Sequence, residues 1–192
     1  MIFVSINPFA LKRFFFFLLA AIGFSCVSCF GESILLAVKS TPYDKQMTRI
    51  RPILTSEVPP KPTNVSLSLV NHWIGDLRSI PYGFTKVWKT PLETQSGEPA
   101  DCKAKAVALY DTMQAHGATH LRLVIGKRTP GSRSTHAWLE WDTDNGSYVL
   151  DPTINWKAYS TRDVGRRSYV PYYAFEGSRK FQASSASLIA QN

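Results

Sequence analysis

Residues 97–113 read GEPADCKAKAVALYDTM and set one cysteine, Cys102, in the first turn of a segment with helical character. Cys102, Ala106, Leu109, Tyr110 and Met113 share one face at 3.6 residues per turn, while Lys103, Asp111 and Gln114 fall elsewhere. The spacing predicts an amphipathic helix over about residues 99–116, closed by Gly117, a residue that readily takes the conformation of a helix stop. A thiol in that first turn meets the partial positive charge of the helix N-terminus, which favours thiolate and lowers the pKa from its free value of about 8.5. A buried cysteine is more often inert packing, so the rest of the chain has to decide.

Downstream the hydrophobic period changes to two. LRLVIGK (121–127), THAWLEW (135–141) and YVLD (148–151) read as antiparallel strands, and the loop DTDNGS (142–147) carries the hairpin signal Asn145-Gly146. If Trp141 faces Tyr148, then Trp138 faces Asp151. Alternate side chains share a face, so His136 lies on the same side as Asp151, diagonally displaced. Diagonal β-carbons are roughly 5–8 Å apart, a gap that an imidazole-to-carboxylate hydrogen bond spans, whereas a one-residue slip would separate the two groups. The run YVPYYAF (169–175) predicts a closing strand, and ASSASLIAQN at the end a polar, frayed tail over 181–192.

Upstream, Val65, Leu69, Trp73 and Leu77 recur four apart beside Val70 and Ile74, the stripe of a helix ending before Pro81. The folded domain is expected to span 65–180. Between this helix and the cysteine lies an aromatic-rich connection. Trp88 within it is either a core or lid aromatic or a ring whose indole N–H borders the reacting group. Residues 32–64 contain Pro42, Pro52, Pro59, Pro60 and Pro62, which forbid long helices and predict a Pro-rich linker with one short strand.

Residues 1–31 have the pattern of a targeting segment: Lys12-Arg13, an apolar run over 14–24, then small residues around Ser25, Ser28 and Gly31. The run is shorter than the about 20 residues of a spanning helix. A cleaved export signal is therefore expected, with an uncleaved N-terminal tether through residues 14–30 as the alternative. Either places the protein in the periplasm or outside, or anchored to the inner membrane facing the periplasm. Cys26 and Cys29 lie in this segment, where a CxxC pair has no fold to support it. Acylation at either position is the other option, although the residues before them make a poor signal. Cleavage after Cys29 would leave Cys102 without a disulfide partner.

The bulk properties fit this division. At 192 residues, 44% hydrophobic and 19% charged, the chain is one globular domain in size and neither disordered nor multi-spanning. Its net charge of +8 comes from scattered Lys and Arg, a solvated basic surface rather than a nucleic-acid site.

A cysteine at a helix start, a histidine within a strand and an aspartate at the end of its partner strand supply what thiol catalysis needs. Thiolate attacks, imidazole takes and returns the proton, and carboxylate orients the imidazole. His72, His116 and His120 sit in helical or inter-element settings and are read as surface or packing residues.

The ordered motifs VWKTPLE (87–93), GEPADCKAKAVALYDTM, LRLVIG, THAWLEW, YVLDPTINW and SYVPYYAF together resemble the bacterial transglutaminase-like cysteine proteinase family, within the papain-like and transglutaminase-like superfamily. The resemblance covers about residues 70–175. It implies an α+β fold in which a helix bearing the nucleophile packs on an antiparallel sheet, with the triad Cys102, His136 and Asp151; a protein or peptide substrate and a monomer are expected. Adhesin-cleaving members of that family have Asp-Cys-Glu-Asp at the nucleophile and use neighbouring acidic residues for calcium. Here the run is Asp101-Cys102-Lys103-Ala104, and the lysine puts a positive charge where a hard cation needs oxygen ligands, so no metal is expected. Lys103, on a position read as solvent-facing, is either a solvated charge or an electrostatic aid to the thiolate. The expected chemistry is hydrolysis of a peptide or amide bond through a thioester, with Trp88 and the Cys102 N–H as candidate oxyanion donors. Acyl transfer to an amine and a catalytically silent binding module are the alternatives.

Overall fold

The computed structural model describes residues 34–56, 65–165 and 168–184; the leader expected over 1–31 and the tail beyond residue 184 lie outside them. In chain order the elements are β1 (Leu35–Ala37), α1 (Arg51–Leu54), α2 (Leu67–Ser79), α3 (Pro91–Thr94), α4 (Cys102–Ala115), β2 (Leu121–Lys127), β3 (His136–Thr143), β4 (Gly146–Leu150), β5 (Tyr159–Ser160), β6 (Val170–Glu176) and β7 (Arg179–Ala183). The strands form one sheet in the order β1-β7-β6-β2-β3-β4-β5, antiparallel at every pairing.

Helix α4 begins three residues later than its sequence pattern suggests. Asp101 at the N-cap accepts the Ala104 N–H at 3.1 Å, satisfying one of the free amides of the first turn. The helix is not amphipathic. Ala104, Lys105, Val107 and Ala108 are buried along with Cys102, Ala106, Leu109, Tyr110 and Met113. The cause is its central position: β2 and β3 cover one side, and α1, α2 and α3 pack on it as well. The small side chains of Ala104, Ala106 and Ala108 allow those neighbours to approach closely. Lys105 is buried to 1% exposure, its ammonium donating to the Ile80 carbonyl at 2.5 Å.

Helix α2 is capped by Ser66, whose hydroxyl accepts from the Leu69 N–H, and buries Val70, Ile74 and Leu77. Leu69, at the other edge of the expected stripe, remains exposed. Short helix α3 starts at a capping box: Thr90 accepts from the Glu93 N–H while the Glu93 carboxylate accepts from the Thr90 N–H.

The segment expected as a linker is part of the fold over its described residues 34–56. β1 pairs with β7, Leu35 opposite Ala183, and Met47, Ile50 and Leu54 are buried in the main core. Prolines limit element length but not burial, and Pro52 sits in the first turn of α1, where a missing N–H has no cost. The domain also runs past residue 180, because Phe181, Gln182 and Ala183 are rungs of β7. These residues belong to the single compact unit 31–192. Among the described residues, no helix is long and apolar enough to cross a membrane.

The β3–β4 hairpin has the anticipated register, with Trp141 opposite Tyr148 and Leu139 opposite Leu150. Both strands extend to the Thr143–Gly146 pair, so the turn proper is Asp144-Asn145, and Gly146 takes φ 127. On the other side of β3, Gly126 pairs with His136, and between Ile125 and Gly126 the register of β2 against β6 shifts. A β-carbon at Gly126 would lie 2.0 Å from the Val170 carbonyl oxygen and 2.8 Å from the Trp138 ring, so only glycine fits between β3 and β6.

Candidate active site

Continuing the hairpin register by one rung puts Trp138 opposite Asp151, with His136 diagonal to it. The His136 Nε2 is 2.8 Å from the Asp151 Oδ2. Cys102, at the N-terminus of α4 and 8% exposed, acts on the same ring and raises its pKa. The three residues singled out from sequence therefore meet: helix start, first residue of β3 and the residue after β4. His136 is steadied by Trp138, whose ring is stacked 6.3 Å away at 19°.

Burial alone would push the His136 pKa down. The hydrogen bond and attraction to the Asp151 carboxylate, together with the interaction with Cys102, outweigh burial and push it up to about 9. Asp151 is fully buried but not under-satisfied. Its Oδ1 accepts the Thr153 N–H at 3.0 Å, and its Oδ2 accepts the Tyr169 hydroxyl at 3.0 Å besides the imidazole.

A second group of contacts ties the helix start to the preceding loop. The Asp101 Oδ2 accepts the Thr85 N–H and pairs with the Lys103 ammonium, which also donates to the Thr85 carbonyl at 2.8 Å and sits 5.2 Å from the Phe84 ring centre. Lys103 is thus not a solvent-facing charge; it folds back onto the loop. Backbone bonds add to the clamp: Ala100 N–H to the Pro81 carbonyl at 2.9 Å and Gly83 N–H to the Ala100 carbonyl at 3.4 Å. Tyr82, 60% exposed, lies within the field of Cys102 and Asp101; partial burial and those charges raise its pKa. An aromatic rim, Tyr82 and Phe84, therefore stands exposed beside the loop end of the thiol helix.

Trp88 is buried at 1% exposure, and its Nε1 has no hydrogen-bond partner. The other histidines lie apart from this constellation: His72 pairs with Asp76 on exposed α2, His116 packs on the Trp73 ring at 4.7 Å, and His120 is an exposed residue with φ 53. Sequence reasoning missed Tyr169 and Asn155, because neither position departs from an ordinary strand or loop pattern. It missed the Asp101–Lys103 pair for a different reason, since residues two apart on a helix do not ordinarily face each other.

Calcium needs six to eight oxygen ligands, and the acid next to the cysteine has none to spare. Both Asp101 oxygens are engaged, one of them by an ammonium, and no group of three or more His, Cys, Asp or Glu converges among the described residues.

Fold and site together define a mixed helix and antiparallel-sheet protein with a hydrogen-bonded histidine–aspartate pair beside a cysteine at a helix start. No protein-family model matches the chain, and no curated protein does. Solved structures of LapG from Legionella pneumophila are similar in fold. The EGTA-treated form gives a TM-score of 0.54 at 17% identity over 76% of this chain and 80% of that one. The calcium-bound form gives 0.53 at 17% identity, over 80% and 93%, and a further LapG structure 0.52 at 17%, over 79% and 86%.

Proposed function

We propose that this protein is an exported cysteine peptidase of the transglutaminase-like fold that hydrolyses a peptide or amide bond through a thioester on Cys102. The observation that carries the reading is the 2.8 Å hydrogen bond of His136 to Asp151, with Cys102 close enough to the same ring to raise its pKa. The likeness to LapG from Legionella pneumophila supports it at the level of fold.

His136 takes the thiol proton, and the Cys102 sulfur attacks the substrate carbonyl. The resulting oxyanion is met by the Cys102 backbone N–H, in the first turn of α4 where amides lack intrahelical acceptors. The indole N–H of Trp88, without a partner among the described residues, supports its candidacy as the second donor. The tetrahedral intermediate collapses with cleavage of the C–N bond, and the His136 imidazolium gives its proton to the departing amine. Water then attacks the thioester, His136 accepting its proton, and acid product and free thiol are released. Asp151 holds the imidazole orientation throughout.

The Lys103 ammonium supplies, as part of the chain, the positive charge that fixes the 82–88 loop to the helix start. Activity is therefore independent of calcium.

The direct test incubates the purified full chain and its Cys102→Ala variant with a mixture of unfolded polypeptides, followed by mass spectrometry of new termini. Cleavages made only by the wild type, and equally with and without EGTA, are expected. Isopeptide cross-links in place of new termini would replace hydrolysis by acyl transfer, and identical patterns from both proteins would remove the enzymatic reading.

A further inference from the structure

The carboxylate of Asp151 has one partner that the thiol mechanism does not use. The Tyr169 hydroxyl donates to the same oxygen, Oδ2, that His136 contacts, at 3.0 Å against 2.8 Å. The direction of that bond is fixed from behind: the Asn155 Nδ2 lies 3.0 Å from the Tyr169 oxygen and can only donate, so the hydroxyl proton is turned toward Asp151. Asn155 is itself pinned, its backbone N–H bonded to the Asp151 carbonyl at 2.9 Å.

The chain is built to bring Tyr169 there. Gly126 in β2 admits the close approach of the Val170 carbonyl of β6 and of the Trp138 ring, and the register shift beside it offsets the residues entering β6. Tyr169, just before that strand, adopts φ 56, a left-handed backbone that an aromatic residue rarely takes, and its N–H is held by the Arg128 carbonyl at 2.7 Å. Backbone outliers of this kind persist where the surroundings over-determine them and cluster at functional sites. Its ring meets Trp138 edge-on at 5.3 Å, and Trp138 in turn stacks on His136. One tyrosine thus braces both the carboxylate and the aromatic layer against the imidazole.

Resting on the peptidase reading above, we propose that Tyr169, oriented by Asn155, is a positioning residue of the site: its hydroxyl shares Asp151 Oδ2 with His136 and limits how firmly the carboxylate holds the imidazolium proton. A histidine that must return its proton to a leaving amine works best when that proton is not bound too tightly. Tyr169 stays protonated and able to donate, because burial and the Asp151 charge raise its pKa, against smaller opposing effects of the Asn155 hydrogen bond and of Arg128. The titratable and charged groups facing the chain are Cys102 and Lys105 from α4, His136 from β3 and Arg128 after β2. Lys105 acts on Asp151 at longer range, with its own ammonium held on the Ile80 carbonyl.

The test is an NMR titration of the His136 ring in the full chain, assigned by loss of its signal in His136→Ala. With the hydroxyl removed in Tyr169→Phe, Asp151 turns more of its charge on His136, and the His136 pKa rises by roughly half a unit or more. Asn155→Ala, which loosens the hydroxyl without removing it, moves it the same way by less. If Tyr169→Phe does not fold, Asn155→Ala carries the test alone. An unchanged or lowered His136 pKa in a folded variant overturns the proposal, since a merely structural tyrosine changes the melting temperature and leaves this titration where it is. Reaction of Cys102 with iodoacetamide in the wild type is read separately. A thiol no faster than a free one ends the peptidase reading whatever Tyr169 does, whereas a fast thiol with an unmoved His136 ends only the role given to Tyr169.

Discussion

The chemistry of the site rests on how one imidazole is held. His136 would be pushed toward neutrality by burial, yet the Asp151 carboxylate and Cys102 keep it protonated up to about pH 9. An unfolded histidine titrates near about 6.5, so the folded state binds the extra proton across the interval between the two. The stability this contributes is complete below pH 6.5 and is lost as pH rises through 9. Thermal unfolding of the wild type and His136→Phe, measured at pH 6 and pH 9.5, should show the wild-type advantage shrinking over that rise. An advantage that grows with pH would mean that the imidazole is held neutral. At this scale the sequence is legible where a residue type is scarce and its chemistry specific, as with Cys102 and His136. It is silent on Tyr169, whose importance depends on a left-handed backbone angle, and it misplaces Lys103, read as solvent-facing, whose ammonium reaches back to Asp101.

Among the elements, the hairpin was the most readable, because two-residue periodicity and an Asn-Gly signal leave few registers open, and a wrong one would have turned His136 away from Asp151. Helix α4 was read correctly as a helix but wrongly as one-sided. A central helix and a surface helix both carry apolar residues at helical spacing, and only the packing of α1 to α3 over its far side distinguishes them. The β2–β6 shift was invisible, since a lone Gly126 inside an apolar run can equally be a weak strand position. That glycine is where sheet geometry bears on the site. Replacing Gly126 by alanine forces a β-carbon onto the Val170 carbonyl and the Trp138 ring, which supports His136. The expected cost is about 1–3 kcal/mol of overpacking, read as a lower denaturant midpoint. Reactivity of Cys102 toward iodoacetamide should fall as well, and a variant as stable and reactive as wild type would contradict the account of the bulge.

For the molecule as a whole, the largest departure from expectation is where the domain begins. Proline density made residues 32–64 look like a linker, but Met47, Ile50 and Leu54 are buried and β1 closes the sheet edge beside β7. Each such side chain contributes about 1.5–3 kcal/mol when buried. A chain shortened to begin at residue 65 loses all of them and exposes the face of α4 that they cover. It should be unfolded or aggregated, whereas one beginning at residue 34 should melt cooperatively; equal melting of the two would return the segment to linker status. The basic charge, by contrast, is spread over a surface that shares several of its cations with acids, as in Arg49–Glu93, Arg122–Asp142 and Lys180–Asp44. All of these features converge on one claim, that the fold exists to hold Cys102 against His136 and Asp151 in a reactive state. The most direct measurement is the pH dependence of iodoacetamide alkylation at Cys102, followed by mass spectrometry of its peptide so that Cys26 and Cys29 do not interfere. The account predicts alkylation at pH 6 on the order of tenfold or more faster than a free thiol, lost in His136→Ala. A rate that follows one titration near about 8.5 in both proteins would contradict it.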